Sequence, residues 1–235
     1  MQEEDPTPPP DPEILNRQPK WFKPVFYGAI VASVLFALVC LLLYPSFVGG
    51  RRGPHPGKDE YNNARQIGLA LFEFETEYGS FPNDSTAAAV KKDHPTHGLD
   101  LTGTSSNAAF RQLFAADMTS SERMFFAKIP ASIRPDDLIT PREALKKGEV
   151  GFSYISGLSS ADGPLTPIVL TPLIPGTTKF DPKPFKGRAI VLFIDNSVRS
   201  FDIEDDGHIY DKGLDLLSPK HPVWKGKKPD IRYPE

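Results

Sequence analysis

The chain has 235 residues, a formal net charge of -3 and a single cysteine, Cys40. That balance lacks the basic excess of a nucleic-acid protein, and one cysteine excludes an intramolecular disulfide, so a fold outside the cytoplasm must rest on packing. The 25 prolines exceed the usual share of about 5% and point to ordered loops or extended tails.

Residues 1–24 are acidic and proline-rich at their start (MQEEDPTPPPDPEILNRQPK). They cannot bury apolar area, so a disordered tail is expected, with a polyproline docking segment as the alternative. Residues 25–44, VFYGAIVASVLFALVCLLLY, carry no charge and no proline. As a helix this run reaches about 30 Å, the hydrocarbon thickness of a bilayer. Trp21, Phe22 and Tyr27 at one end, and Tyr44 and Phe47 at the other, suit the membrane interfaces. A single membrane span is predicted, with Cys40 as a small apolar side chain within it. A cleaved signal peptide is disfavoured by the length of the run and the lack of a small-residue cleavage site. Arg17, Lys20 and Lys23 balance Arg51, Arg52 and Lys58, so charge alone does not orient it.

Residues 45–58 form a Pro/Gly-rich linker that breaks any helix passing through it. A domain over 59–235 follows. Its first helix begins near Asp59 and Glu60, whose charge suits a helix N-terminus. Tyr61, Ala64, Ile67, Gly68, Leu71, Phe74 and Tyr78 recur at spacings of three and four, and Leu69 and Phe72 widen the face. Gly79 fits the residue after the helix and Pro82 prevents continuation. Ile67, Leu71 and Phe74 are expected to form the seam with a sheet. Two shorter helices are predicted, one capped by Asp84 or Ser85 and one by Ser105 or Ser106.

The later sequence changes character. Gly151–Gly157, Thr166–Ile174, Arg188–Ile194 and Ser197–Ile203 are short, β-branched or aromatic, and bounded by turn residues. Asp195 and Asn196 read as a two-residue type I′ link, with the last two strands apolar on alternate positions and needing cover on one side. Helices first and antiparallel strands afterwards predict an α+β domain, its amphipathic helix packed on an antiparallel sheet.

Asn62, Asn63, Gln66 to Leu71, Tyr78, Gly79, Phe81 and Pro82, placed behind a membrane run, carry a resemblance to bacterial pilin-like proteins. The group is that of the type II secretion pseudopilins, with their prepilin-type N-terminus. Val191 to Phe201, VLFIDNSVRSF, is similar to a later hairpin of that group written V-L-F-x-D-G-S-V-R. Together the two motifs cover about a fifth of the chain. The resemblance implies a pilin-like fold anchored in the inner membrane, single-pass, with its C-terminal domain in the periplasm. It also implies pilin-like or secretion-system proteins as partners. Prepilins carry a glycine before a phenylalanine-led run with a glutamate at the fifth position. Here Ala29 follows Gly28 and Ser33 stands at that position, so no peptidase cleavage is expected.

The search for chemistry finds no nucleophile elbow, phosphate loop, dinucleotide glycine pattern or zinc-protease motif. Asp202, Glu204 and Asp206, with Gly207, follow the spacing of a calcium loop. Gly213 replaces the closing glutamate, so an acidic hairpin end is expected and calcium is the alternative, one the pseudopilin resemblance keeps open. His94 and His97 form an H-x-x-H pair without a third ligand nearby in sequence, and a solvated loop is expected. The basic-aromatic run Lys220 to Lys228 reads as a solvated edge. No catalytic, cofactor-binding or metal residue is assigned, and no nucleic-acid partner is expected. The functional expectation is a non-enzymatic, membrane-anchored interaction protein. A membrane-tethered periplasmic hydrolase is the alternative.

Overall fold

A computed structural model describes residues 31–36 and 57–235. Residues 31–36 are helical and exposed. The tail 1–24, most of the predicted span 25–44 and residues 45–56 of the linker lie outside the described residues. No helix among the described residues is long and apolar enough to cross a membrane. Residues 57–235 belong to one compact unit.

Helix α1 spans Lys58–Tyr78, with Asp59 and Glu60 in its first turn. It stops at Gly79, whose φ of 77° is open to glycine and whose N–H donates to the Glu75 carbonyl. Ala64, Ile67, Gly68, Leu71 and Phe74 are buried along one face. Leu69 does not widen that face, because it is 59% exposed. Helix α2, Asp84–Asp93, is capped by neither Asp84 nor Ser85 but by Asn83. Its side chain accepts from the Ser85 and Thr86 N–H groups while the Thr86 hydroxyl accepts from the Asn83 N–H. Helix α3, Ser106–Ala115, is capped by Ser105, which accepts from the Ala108 N–H.

The fold is α+β. Strands β1 (Ser153–Ser156), β2 (Pro167–Thr171), β3 (Arg188–Phe193), β4 (Val198–Asp202) and β7 (Asp230–Arg232) form an antiparallel sheet in the order β4-β3-β2-β1-β7. A two-stranded ribbon of β5 (Tyr210–Asp211) and β6 (Leu214–Asp215) precedes β7.

Two expectations are corrected here. The β3–β4 link is not a two-residue type I′ turn. Asn196 donates its N–H to Phe193 O at 3.0 Å and Phe193 donates to Ser197 O at 2.9 Å, leaving Ile194, Asp195 and Asn196 as a three-residue loop. Only Asn196 has positive φ, 59°, the signature of a type I turn closed by a left-handed residue. The Lys220–Lys228 run is a solvated edge only in part, at its exposed lysines. Trp224 is buried within it, and its indole N–H donates to Leu216 O at 2.7 Å.

The sheet needs cover on both faces, not one. On β3, Ile190 and Leu192 join the core formed with α1, α2 and α3, whereas Ala189, Val191 and Phe193 join a second core. Period-two alternation puts these sets on opposite sides. Ile209, Leu216, Leu217 and Trp224, from the C-terminal segment, close the second side.

α1 approaches β3 and β4 through Gly68. A Cβ there would stand 2.1 Å from Asn196 Oδ1 and 3.2 Å from Leu192 Cδ1, so glycine sets the spacing. Nearby, the Tyr61 hydroxyl donates to the Val198 carbonyl. Leu71→Ala in the full-length protein is expected to cost about 2–5 kcal/mol. At roughly 2–4 °C per kcal/mol for a domain of this size, thermal melting should show it plainly.

Gly68→Ala gains about 1 kcal/mol of helix propensity but loses about 1–3 in overpacking. Asn196→Gly removes the blocking oxygen at a position whose positive φ glycine accepts. Introduced into Gly68→Ala, it should therefore restore stability. Additive losses in the double-mutant cycle would show that Gly68 and Asn196 do not meet.

Candidate functional site

The segment from residue 116 to residue 152 contains one 3-10 turn, Glu122–Phe125, and no strand. It is held instead by side chains from the helices. On α1, Asn63 Nδ2 donates to the carbonyls of Arg123 (3.1 Å) and Phe126 (2.9 Å), and Glu60 Oε1 accepts from the Lys128 N–H at 3.0 Å. Across from them Gly151 lies against Ala127, where a Cβ would come within 2.6 Å of the Ala127 nitrogen. The stretch carrying Glu122 is thus pinned between α1 and the approach to β1.

A second turn, around Ala144 to Glu149, is clamped from both sides. α3 supplies Asn107, whose Nδ2 donates to Leu145 O at 2.8 Å. It also supplies Arg111, which donates to the Ala144 and Leu145 carbonyls at 2.8 and 3.0 Å. The N–H side is taken by two glutamates. Glu122 Oε1 accepts from the Leu145 N–H at 2.7 Å and Glu149 Oε2 from the Lys146 N–H at 3.0 Å.

Both glutamates are fully buried, and each satisfies one backbone donor with one oxygen. Their remaining oxygens, Glu122 Oε2 and Glu149 Oε1, accept no hydrogen bond among the described residues. One carboxylate oxygen from each of Glu122, Asp136 and Glu149 lies within 4.8 Å of the other two. Asp136 is on the solvent side of this group. Lys146 Nζ sits at its edge, 2.5 Å from Asp136, 3.1 Å from Glu143 and 3.7 Å from Glu149.

The electrostatics follow from that arrangement. Burial raises the Glu122 carboxyl above the ordinary range, and the charges of Asp136 and Asp137 add to it against the Leu145 hydrogen bond. Burial also raises Glu149, with the Glu122 charge second. The hydrogen bond to Asp136, and then that to Glu143, holds Lys146 above the usual lysine range. Asp136 is lowered by that same contact with Lys146. Three carboxylates, Asp136, Glu143 and Glu149, therefore share one ammonium, and of the three Glu149 is buried.

The residues singled out in the sequence behave differently. Asp202, Glu204 and Asp206 do not converge. Asp202 pairs with Arg188 at 3.1 Å, and Asp206 accepts from the His208 N–H at 2.9 Å and the Tyr210 hydroxyl at 2.6 Å. Of the two groups of carboxylate or imidazole side chains that converge among the described residues, neither contains any of these three.

His94 and His97 do acquire a third neighbour that sequence spacing missed. Asp117 stands 3.8 Å from His94 Nδ1 and 3.5 Å from His97 Nε2. Asp117 is 72% exposed, and no hydrogen bond orients either ring among the described residues, so the second shell that fixes a metal-binding histidine is not formed there.

Glu122, Asp136 and Glu149 escaped the sequence reading because they come from separate turns. The signal that pointed toward them was the glutamate in Gly148-Glu149-Val150, a charge entering an apolar strand run.

No protein family, curated protein or solved structure matches this chain.

Glu122→Ala leaves the buried Leu145 N–H without its acceptor, an expected cost of about 1–3 kcal/mol. Glu122→Gln keeps a carbonyl oxygen there and removes the buried charge. Urea unfolding in chelator should therefore place Glu122→Gln well above Glu122→Ala. Equal losses would show that the charge, not the hydrogen bond, holds the turn.

Proposed function

We propose that this chain is a membrane-anchored, pilin-like interaction protein, a relative of the type II secretion pseudopilins. Its α+β head would work by protein–protein contact on the periplasmic side of the inner membrane. The observation that carries the reading is spatial. The two stretches that resemble the pseudopilin pattern, Asn62 to Pro82 and Val191 to Phe201, lie far apart in sequence yet pack on one another. Gly68 of the first rests against Leu192 and Asn196 of the second. Gly68 and Leu192 belong to both patterns and meet at one seam, as a common fold would need, whereas Asn196 stands where the group's pattern has glycine.

The N-terminal half of the proposal is supported by the uncharged run 25–44. Within it, Val31, Val34, Leu35 and Phe36 are each more than half exposed on a helical segment. An apolar helical surface of that kind belongs in lipid or against another apolar helix.

A C-terminal alkaline phosphatase fusion is expected to be active and a C-terminal β-galactosidase fusion inactive. The reverse pattern would overturn the localisation and with it the pseudopilin reading. Intact mass of the purified protein should include the residues up to Gly28, since Ala29 and Ser33 depart from the prepilin pattern. An N-terminus at Ala29 would show that a prepilin peptidase accepts this sequence after all.

A further inference from the structure

We propose that Glu122, Asp136 and Glu149 form a calcium site in the head domain. Glu122 and Glu149 are fully buried, each with one oxygen that accepts no hydrogen bond among the described residues, and a carboxylate oxygen from each lies within 4.8 Å of the other and of one from the exposed Asp136. Two oxygens bound to one calcium at about 2.4 Å can stand no more than about 4.8 Å apart, and these carboxylates meet that limit.

The donor set selects the ion. Every ligand is a carboxylate oxygen, with no cysteine or histidine in the group, which suits a hard cation and not zinc or copper. Magnesium, bound at about 2.0–2.1 Å, needs its ligand oxygens within about 4.2 Å of one another and in near-ideal octahedral geometry, a tighter demand than calcium makes. Calcium accepts a larger and less regular shell, and the exposed Asp136 side leaves an entry path and space for the waters that complete it.

Lys146 is the competitor. Its ammonium reaches Asp136 and Glu143 at hydrogen-bond distance and Glu149 Oε1 at 3.7 Å, and no ion pair joins it to Glu122 among the described residues. A single charge on a flexible stem thus neutralises the exposed side of the cluster more closely than the buried side. When calcium binds the three carboxylates, the ammonium keeps Glu143 and releases Asp136. Calcium and Lys146 together then carry three positive charges against the four carboxylates Glu122, Asp136, Glu143 and Glu149.

The site is separate from the acidic turn Asp202–Asp206, where Asp202 pairs with Arg188 and Asp206 accepts from His208 and Tyr210. It is also independent of the pilin-like reading, since it uses none of the residues that carry that resemblance.

The test is calorimetric titration of the full-length protein, freed of metal with chelator, using calcium chloride and, separately, magnesium chloride. Thermal melting is followed in parallel. One calcium per chain, a raised melting temperature and weaker binding of magnesium are expected. Glu149→Gln and Asp136→Asn should each weaken calcium binding by about tenfold or more. Asp136 is exposed, so its variant keeps the test decisive if the buried one fails to fold. Lys146→Met should bind calcium more tightly than the parent.

No heat and no melting shift up to about 10 mM calcium, beyond the weakest extracellular modules, would overturn the site. So would binding that survives Glu149→Gln and Asp136→Asn but is lost in Asp206→Asn. Equal affinity for magnesium, or weaker calcium binding by Lys146→Met, would overturn the choice of ion or the competition with the ammonium.

Discussion

The central strands of the sheet are apolar on both faces, and the placement of the remaining elements follows from covering them. Ile190 and Leu192 face the helices while Val191 and Phe193 face the C-terminal segment. With one cysteine in the chain, no disulfide can substitute for a missing layer. α1 therefore has to lie close to β3 and β4, and Gly68 permits that closeness by presenting backbone where any side chain would meet Asn196. The other layer is built from pieces with little regular structure, such as the 3-10 turn Pro222–Trp224. Its Trp224 supplies a large apolar surface and ties its own N–H back to Leu216.

How much of this was legible in the sequence depends on whether the deciding contact is local. α1 was readable at both ends because its signals lie within a turn of its termini: acidic residues at the start, Gly79 and Pro82 at the stop. Strands β1 to β4 were readable from β-branched and aromatic composition. The β3–β4 loop was mistyped because Asp195 and Asn196 both tolerate positive φ, while the deciding residue is Ile194, which reads as strand. Its N–H leaves the hairpin and donates to Thr166 O at 3.0 Å, a contact no local rule sees. β7 was missed for the same reason. Asp230–Arg232 is three residues with one apolar side chain between two charges, and its status as a strand comes entirely from pairing with β1.

The acid cluster was invisible for a related cause. A search by spacing finds ion sites whose ligands come from one loop, as in Asp202 to Asp206. Those side chains turn out to be used locally. Glu122 and Glu149 come from two turns held by Asn63 and Glu60 on α1 and by Asn107 and Arg111 on α3, and Asp136 from the irregular stretch between them. Asn63 belongs to the stretch that resembles the pseudopilins. Its side chain does not face the sheet but holds the carbonyls flanking Glu122's own turn, so one helix organises both the seam and the cluster.

The chemistry of that cluster also bears on why glutamates stand there. Capping the Leu145 and Lys146 N–H groups requires only an acceptor oxygen, and a neutral glutamine offers one at the same reach. A carboxylate in the same place adds a desolvation cost that a single hydrogen bond repays only in part. Burial pushes both carboxyls upward, with the charges of Asp136 and Asp137 adding at Glu122 and that of Glu122 at Glu149, in the direction of that cost. Long connections without secondary structure are uncommon in compact domains unless they carry function, and this one spends two buried charges on a task that neutral side chains perform. The second oxygen of each glutamate is what distinguishes the two choices, and neither second oxygen accepts a hydrogen bond among the described residues. A cation bound between them converts the penalty into a cross-link between the Glu122 turn and the Glu149 turn. It would stiffen the part of the head domain that has the least regular structure to hold it.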